Sequence, residues 1–311
     1  MPNAEYISWI GHGTANVAPP GKFTGATTHL FAFATDVQAT QSLVDTLLNA
    51  ALPASIRYEC SLGVSYVTFM DIEKCTSTVE IIGWVPGREC AIWVPLWERH
   101  LEDPTQDRPV LWAPYVFISY DIGMVIGREV WGWPKVIGHI DMPTQSGDPA
   151  LFNCSTMLFS TFSDQTQGQI GTLLSVGAEF DLDLTVQWTD PIEAARNIVT
   201  LSNGSEVADL LSPLGDDLKL SAVALKQLRD SDIPSVACFQ AVVNSPIQFT
   251  GFRGGGLHVG LFSLTITTCD SHGIVKDLLQ QKPVTDQTRL PILFAAWLNF
   301  DFEALPGGLI S

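Results

Sequence analysis

The chain holds only seven lysines, Lys22, Lys74, Lys135, Lys219, Lys226, Lys276 and Lys282, and six of them have polar, charged or loop-forming neighbours. Lys135 differs. It sits in Val130-Trp131-Gly132-Trp133-Pro134-Lys135-Val136-Ile137, the most apolar setting of any lysine here. An amine placed there must snorkel its head to water, pair with a carboxylate, or give up its proton. Desolvation disfavours the ammonium, and a neutral amine is a nucleophile toward a ketone. Addition leads through a carbinolamine to an iminium, an electron sink for the bond next to the former carbonyl carbon. The alternative, a stem packed on tryptophan with its head in water, is the commoner arrangement for such a residue.

Downstream, His139-Ile140-Asp141 continues a predicted strand, where alternate residues share a face. Lys135, Ile137, His139 and Asp141 then point one way. His139 is a candidate general base, although a satisfied histidine at a barrel rim is the reading the residues favour. Two ligand-type residues do not make a metal site without a third, so no metal is expected. Arg128 and Glu129 read as a pair holding the loop before the lysine. Gly254-Gly255-Gly256 reads as a turn in preference to an anion-binding nest, and Gly11-His12-Gly13 is weaker still. No P-loop, nucleophile elbow, zinc-protease helix or dinucleotide fingerprint is present.

The elements that must position these residues come from a long apolar chain. Of 311 residues, 46% are hydrophobic and 16% charged, enough for a sizeable core and too apolar for disorder. A net charge of -17 argues against nucleic acid as a partner, since neutralising phosphates needs clustered Lys and Arg, and it disfavours anionic membranes. Six widely spaced cysteines form no CxxC pair. With no secretory signal and no run of about 18 apolar residues, a cytoplasmic protein is expected. The glycosylation-like matches at Asn153 and Asn203 are then chance.

Residues 1–25 read as an irregular arm and 26–311 as a single domain. Thr28–Ala34 reads as a strand, and Asp36 as the N-cap of a helix running to Ala51. Strand-like runs follow at Tyr66–Ile72, Val79–Val85, Cys90–Trp97, Val110–Tyr120, Phe152–Phe162, Ile170–Phe180 and Leu182–Trp188. Ile192–Leu211 and Leu218–Arg229 have helical spacing, the first interrupted at Asn203-Gly204. Val236–Asn244, Ile247–Phe252, His258–Thr268 and Ile292–Phe302 return to β. Many short strands with turn residues between them predict an α+β, mainly antiparallel β fold, a barrel or sandwich with a few flanking helices.

Against that background, Gly127-Arg128-Glu129-Val130-Trp131-Gly132-Trp133-Pro134-Lys135 resembles the G-R-E-x-x-x-[YFW]-P-K segment of acetoacetate decarboxylases, whose final lysine forms the Schiff base. Glu89-Cys90-Ala91-Ile92-Trp93-Val94-Pro95-Leu96 resembles the family's E-S-G-Q-V-I-P-V strand, whose glutamate is an acid/base group. Leu30–Ala34 followed by Thr35-Asp36 is similar to its apolar strand ending in Thr-Asp. The likeness covers about 28–265. It implies the acetoacetate decarboxylase-like barrel or cone, a lyase that decarboxylates a β-keto acid without a cofactor, and self-association into a homo-oligomer. Lys135 is then the nucleophile and Glu89 the general acid/base, with Asp71 in Phe69-Met70-Asp71-Ile72 as a second carboxylate. Trp131, Trp133 and Trp93, with Arg128, Glu129 and His139, would shape the site for a small keto substrate.

Three departures bear on the substrate. Val136 stands where the family carries a second lysine, so tuning of the amine falls to desolvation. The stretch Gly25-Ala26-Thr27-Thr28-His29 lacks the family's carboxylate-binding arginine, with Lys22, His29 and Arg253 as alternatives. The aspartate match is loose. These gaps weaken acetoacetate as substrate more than they weaken the Schiff base, and leave aldol or dehydration chemistry, or a non-covalent cyclase, isomerase or binding protein, as alternatives. Nine tryptophans suit a larger apolar substrate as well as they suit a core.

Overall fold

A computed structural model of the chain describes residues 5–7, 17–60, 62–143, 151–202, 219–280 and 285–310. Among these residues twelve strands make one sheet: β1 (Gly21–Ala34), β2 (Ile56–Glu59), β3 (Val64–Ser77), β4 (Val85–His100), β5 (Arg108–Ile118), β6 (Lys135–Asp141), β7 (Leu151–Leu158), β8 (Gln169–Trp188), β9 (Lys219–Arg229), β10 (Ala237–Thr267), β11 (Gln287–Ala304) and β12 (Gly308–Leu309). Hydrogen bonding runs β2-β4-β3-β1-β11-β10-β8-β7-β6-β5-β9, and further pairings β4–β5 and β10–β9 fold the sheet back on itself. The pairs are antiparallel except β5 with β6 and β5 with β9. Among the described residues four helices flank it: α1 (Val37–Leu47), α2 (Asp121–Ile126), α3 (Pro191–Leu201) and α4 (Ile274–Leu279). The expected mainly β class with few helices is what the chain adopts.

The folded-back sheet has two different faces. One carries the main core, in which Phe31, Phe69, Cys90, Phe117, Phe152 and Phe262 meet. The other carries smaller clusters, one of Ala91, Ala113, Val116, Trp131 and Trp133 and one of Ala26, Ile72, Cys75, Phe300 and Phe302. Residues of opposite parity on β3 and β4 therefore enter different environments, because side chains alternate across a strand. The α1 cap is as expected: the Asp36 carboxylate accepts the Ala39 N–H at 2.8 Å.

Several elements differ from the sequence reading. β1 starts at Gly21, so strand pairing with β3 and β11 already holds part of the stretch read as irregular arm. Of the run Leu218–Arg229 read as helical, Lys219–Arg229 is strand β9; Ala222, Val223 and Ala224 are all fully buried, as both faces of this strand are covered. The runs at 170–188 and 236–268 are single long strands that accommodate irregularity by register shifts. Gly254-Gly255-Gly256 lies inside β10, where Gly254 takes φ +142°. Val79–Trp84 is a loop, with Val79, Ile81, Ile82 and Trp84 exposed. α1 ends at Leu47, followed by a short 3₁₀ turn (Asn49–Ala51). The helical reading of 192–211 holds through Leu201; its continuation, and Gly11-His12-Gly13, lie outside the described residues.

Candidate active site

The lysine segment is built by an abrupt change of backbone. α2 passes directly into a π-helical turn (Gly127–Trp131), and Gly132 ends it in the left-handed region at φ +78°. A β-carbon on Gly132 would also fall 2.6 Å from the Lys226 backbone, so glycine is required on two counts. The Trp133 N–H bonds the Gly127 carbonyl at 2.8 Å and the Lys135 N–H bonds the Trp133 carbonyl at 2.7 Å, closing the loop. Trp131 Nε1 donates to the Leu305 carbonyl (3.1 Å), Lys226 Nζ to the Val130 carbonyl (3.3 Å) and Arg128 Nη1 to the Lys135 carbonyl (3.1 Å). Lys135 then begins β6, paired with Val116.

From there its side chain crosses Gly127 and meets Glu89. Nζ lies 2.7 Å from Oε2, and the two side chains are 15% and 17% exposed. Of the three ways an apolar setting can accommodate this amine, the resting structure uses pairing with a carboxylate. Lys135 also lines a cavity of about 100 Å³ together with Phe23, Cys75, Tyr120, Ile126 and Trp131. Its outer rim is the apolar loop carrying Ile82 and Trp84.

Two residues of this cavity had no place in the sequence reading, Tyr120 and Cys75. The Tyr120 ring occupies a slot between glycines: a β-carbon on Gly87 would fall 2.1 Å from the ring and one on Gly123 2.5 Å from it. Burial and the hydrogen bond to Cys75 hold the Tyr120 hydroxyl far above the ordinary phenol range, so it remains a donor. Burial likewise pushes the Cys75 thiol up to about 11. Gly123, the third residue of α2, is a local sequence hint of Tyr120; Gly87 lies too far along the chain to suggest a common slot.

The other expected site residues lie elsewhere. Asp71 is opposite Arg88, whereas Glu89 is opposite Met70, so Asp71 and Glu89 project from opposite faces. Asp71 instead accepts from Arg88 Nε at 2.8 Å, and Arg88 Nη1 reaches on to the Ile140 carbonyl at 3.1 Å. His139 is exposed, as are Ile137 and Asp141, so only Lys135 of that alternating set turns inward. Trp133 and Trp93 do not line the cavity. They pack edge-to-face at 5.6 Å behind Trp131, and Trp93 Nε1 donates to Thr68 Oγ1. Arg128 and Glu129 are exposed, and Glu129 favours the charge of Lys226, whose ammonium burial otherwise disfavours. Of the three stand-ins weighed for a carboxylate-binding arginine, Lys22 is exposed, His29 bonds His258 at 3.0 Å, and Arg253 is held by Asp301. Among the described residues no group of three or more His, Cys, Asp or Glu is placed to hold a metal ion, and no helix is long and apolar enough to cross a membrane.

The family model for acetoacetate decarboxylase matches residues 11–161, which contain both Lys135 and Glu89. Among solved structures, acetoacetate decarboxylase from Legionella pneumophila is similar over 100% of this chain and 92% of its own, at 14% identity and a TM-score of 0.61. The enduracididine biosynthesis enzyme MppR, in complex with the condensation product of pyruvate and imidazole 4-carboxaldehyde, is similar over 100% and 99%, at 13% identity and a TM-score of 0.57. An acetoacetate decarboxylase-like enzyme from Sphingomonas wittichii gives 99% and 99%, with 12% identity and a TM-score of 0.57. No curated protein matches the sequence. Residues 11–161 thus match the acetoacetate decarboxylase family, and the whole chain has the acetoacetate decarboxylase-like fold.

Proposed function

We propose that the protein is a Schiff-base-forming lyase in which Lys135 condenses with a keto substrate and Glu89 moves the protons. The observation that carries this reading is the 2.7 Å contact between the Lys135 amine and the Glu89 carboxylate at the wall of an apolar cavity. A carboxylate at that distance is within reach to take a proton from the ammonium and release a neutral amine. The amine adds to the carbonyl carbon, the oxygen is protonated, and loss of water leaves the iminium. Electrons of the adjacent bond then enter the iminium to give an enamine, and Glu89 returns a proton to carbon before hydrolysis frees Lys135. In the decarboxylase version the adjacent bond is that to the carboxylate of a β-keto acid, which leaves as carbon dioxide. In the aldol version the same enamine attacks or expels a second carbonyl group.

Trapping with borohydride tests the common step. Incubation with a ketone and reductant should add the mass of the reduced adduct to the peptide containing Lys135, and Lys135→Ala should lose it. A wild-type protein that takes up no adduct from a broad set of ketones and keto acids overturns the proposal, and leaves a non-covalent role for the cavity.

A further inference from the structure

The chain has sixteen Lys and Arg residues, and only Lys282 lies outside the described residues. Of the other fifteen, Lys135 alone lines the cavity. Its charge is already balanced by Glu89. Arg88, one residue away in sequence, projects from the opposite face and is engaged by Asp71 and the Ile140 carbonyl. Arg128 is exposed and turned to the Lys135 carbonyl. Lys74 is exposed and lies over the Trp84 ring at the rim, so a carboxylate reaching it would sit in water. The remaining polar lining, Thr76, Ser77, Cys75 and Tyr120, is uncharged, and burial keeps the thiol and the phenol so at neutral pH.

Resting on the Schiff-base reading of this site, we infer that the cavity takes an uncharged ketone or aldehyde with an apolar body and discriminates against keto acids. A substrate carboxylate would enter beside Glu89 with no free cation among the described residues to receive it, and an unpaired buried charge is strongly disfavoured. Phe23, Ile82, Trp84, Ile122, Ile126 and Trp131 offer apolar surface instead. With no carboxylate to lose, the iminium reaches the enamine by giving an α-proton to the Glu89 carboxylate, the C–H pair becoming the new carbon–carbon double bond. The enamine carbon is then a nucleophile for the carbonyl carbon of a second uncharged molecule, whose oxygen takes the proton.

The test compares benzylacetone with the β-keto acid formed by placing one carboxylate on its methyl group. Two readouts are used: borohydride trapping at Lys135, and quenching of tryptophan fluorescence without reductant. Half-saturation by the ketone is expected at a concentration at least about tenfold lower than by the acid in both. Ile122→Arg, on the half-buried wall of the cavity, should narrow that gap by giving the acid a cation inside it. Equal or tighter binding of the acid, or carbon dioxide release that Lys135→Ala abolishes, overturns the inference. Fluorescence that favours the ketone with no adduct at Lys135 upholds the substrate class and defeats the covalent mechanism, so the two failures are separable.

Discussion

Gly127 bears directly on Lys135: a β-carbon added to the glycine would lie 2.4 Å from the lysine Cδ and 2.8 Å from Cε. The φ at Gly127 is -55°, which any residue adopts, so the glycine is required by the lysine stem and not by the backbone.

Gly127→Ala is therefore expected to fold, with a stability loss of about 1–3 kcal/mol from overpacking. The displaced amine should trap ketones on the order of a hundredfold more slowly, as misplacement by about an ångström does in oriented reactions. Trapping rate and urea denaturation measured on the same variant check this. Normal trapping would mean that the stem has a second productive path.

Glu89→Gln keeps a hydrogen-bonding side chain beside Nζ but cannot accept the ammonium proton. Trapping and turnover should fall by roughly 10²–10⁴, the usual weight of a general acid/base. Raising the pH should recover much of the trapping rate, since hydroxide then deprotonates the amine in place of the carboxylate. A pH-independent loss would point to a purely structural role for Glu89.

The slot around Tyr120 makes a separate prediction about packing. Gly87→Ala puts a β-carbon 2.1 Å from the ring and should cost about 1–3 kcal/mol. Tyr120→Ala empties the slot, so the double variant should be more stable than the sum of the single losses predicts. Additive losses in denaturant titrations would show that Gly87 is constrained by something other than the tyrosine.

Acid sensitivity follows from groups remote from the cavity. Burial, with His258 adding to it, lowers the His29 ring to about 3, against 6.5 for an ordinary histidine. Between those values the unfolded chain binds a proton that the folded chain does not. Stability is thus fully present above about pH 6.5 and falls as pH drops toward 3, by a few kcal/mol in order of magnitude. Burial alone would raise the Glu98 carboxyl, but the Arg108 guanidinium, at 2.7 and 3.1 Å, together with Tyr58 and His100, holds it below the usual range. Its contribution is present above the ordinary glutamate range and disappears at still lower pH. Denaturation midpoints between pH 7 and pH 4 should decline in the wild type and decline less in His29→Phe. Equal slopes would remove His29 as the source.

The sequence brought out Lys135 because a lysine among tryptophans is a local anomaly, and Glu89 because its strand resembles a known one. The α1 cap was legible for a similar reason, since Asp36 and the stripe after it lie within one turn or two. Asp71 illustrates what a sequence obscures. On a period of two, a shift of one residue exchanges the faces of a strand, and only the register with β4 shows that Met70 shares the face of Glu89. β9 was hidden by a different effect: Ala-Val-Ala buried on both sides lacks the alternation that marks a half-buried strand. Tyr120 depends on glycines from two elements, and no local pattern joins them.

The loop that carries Lys135 is fastened by atoms from far along the chain, the carbonyl of Leu305 after β11 and the amine of Lys226 on β9. An amino-terminal fragment ending near residue 161 would contain Lys135 and Glu89 yet have neither tether. Its lysine would keep Glu89 and the strand pairing with Val116, but the loop before it would lack both fastenings. On the proposed mechanism, the setting that makes Lys135 reactive would be complete only once the last strands are laid down.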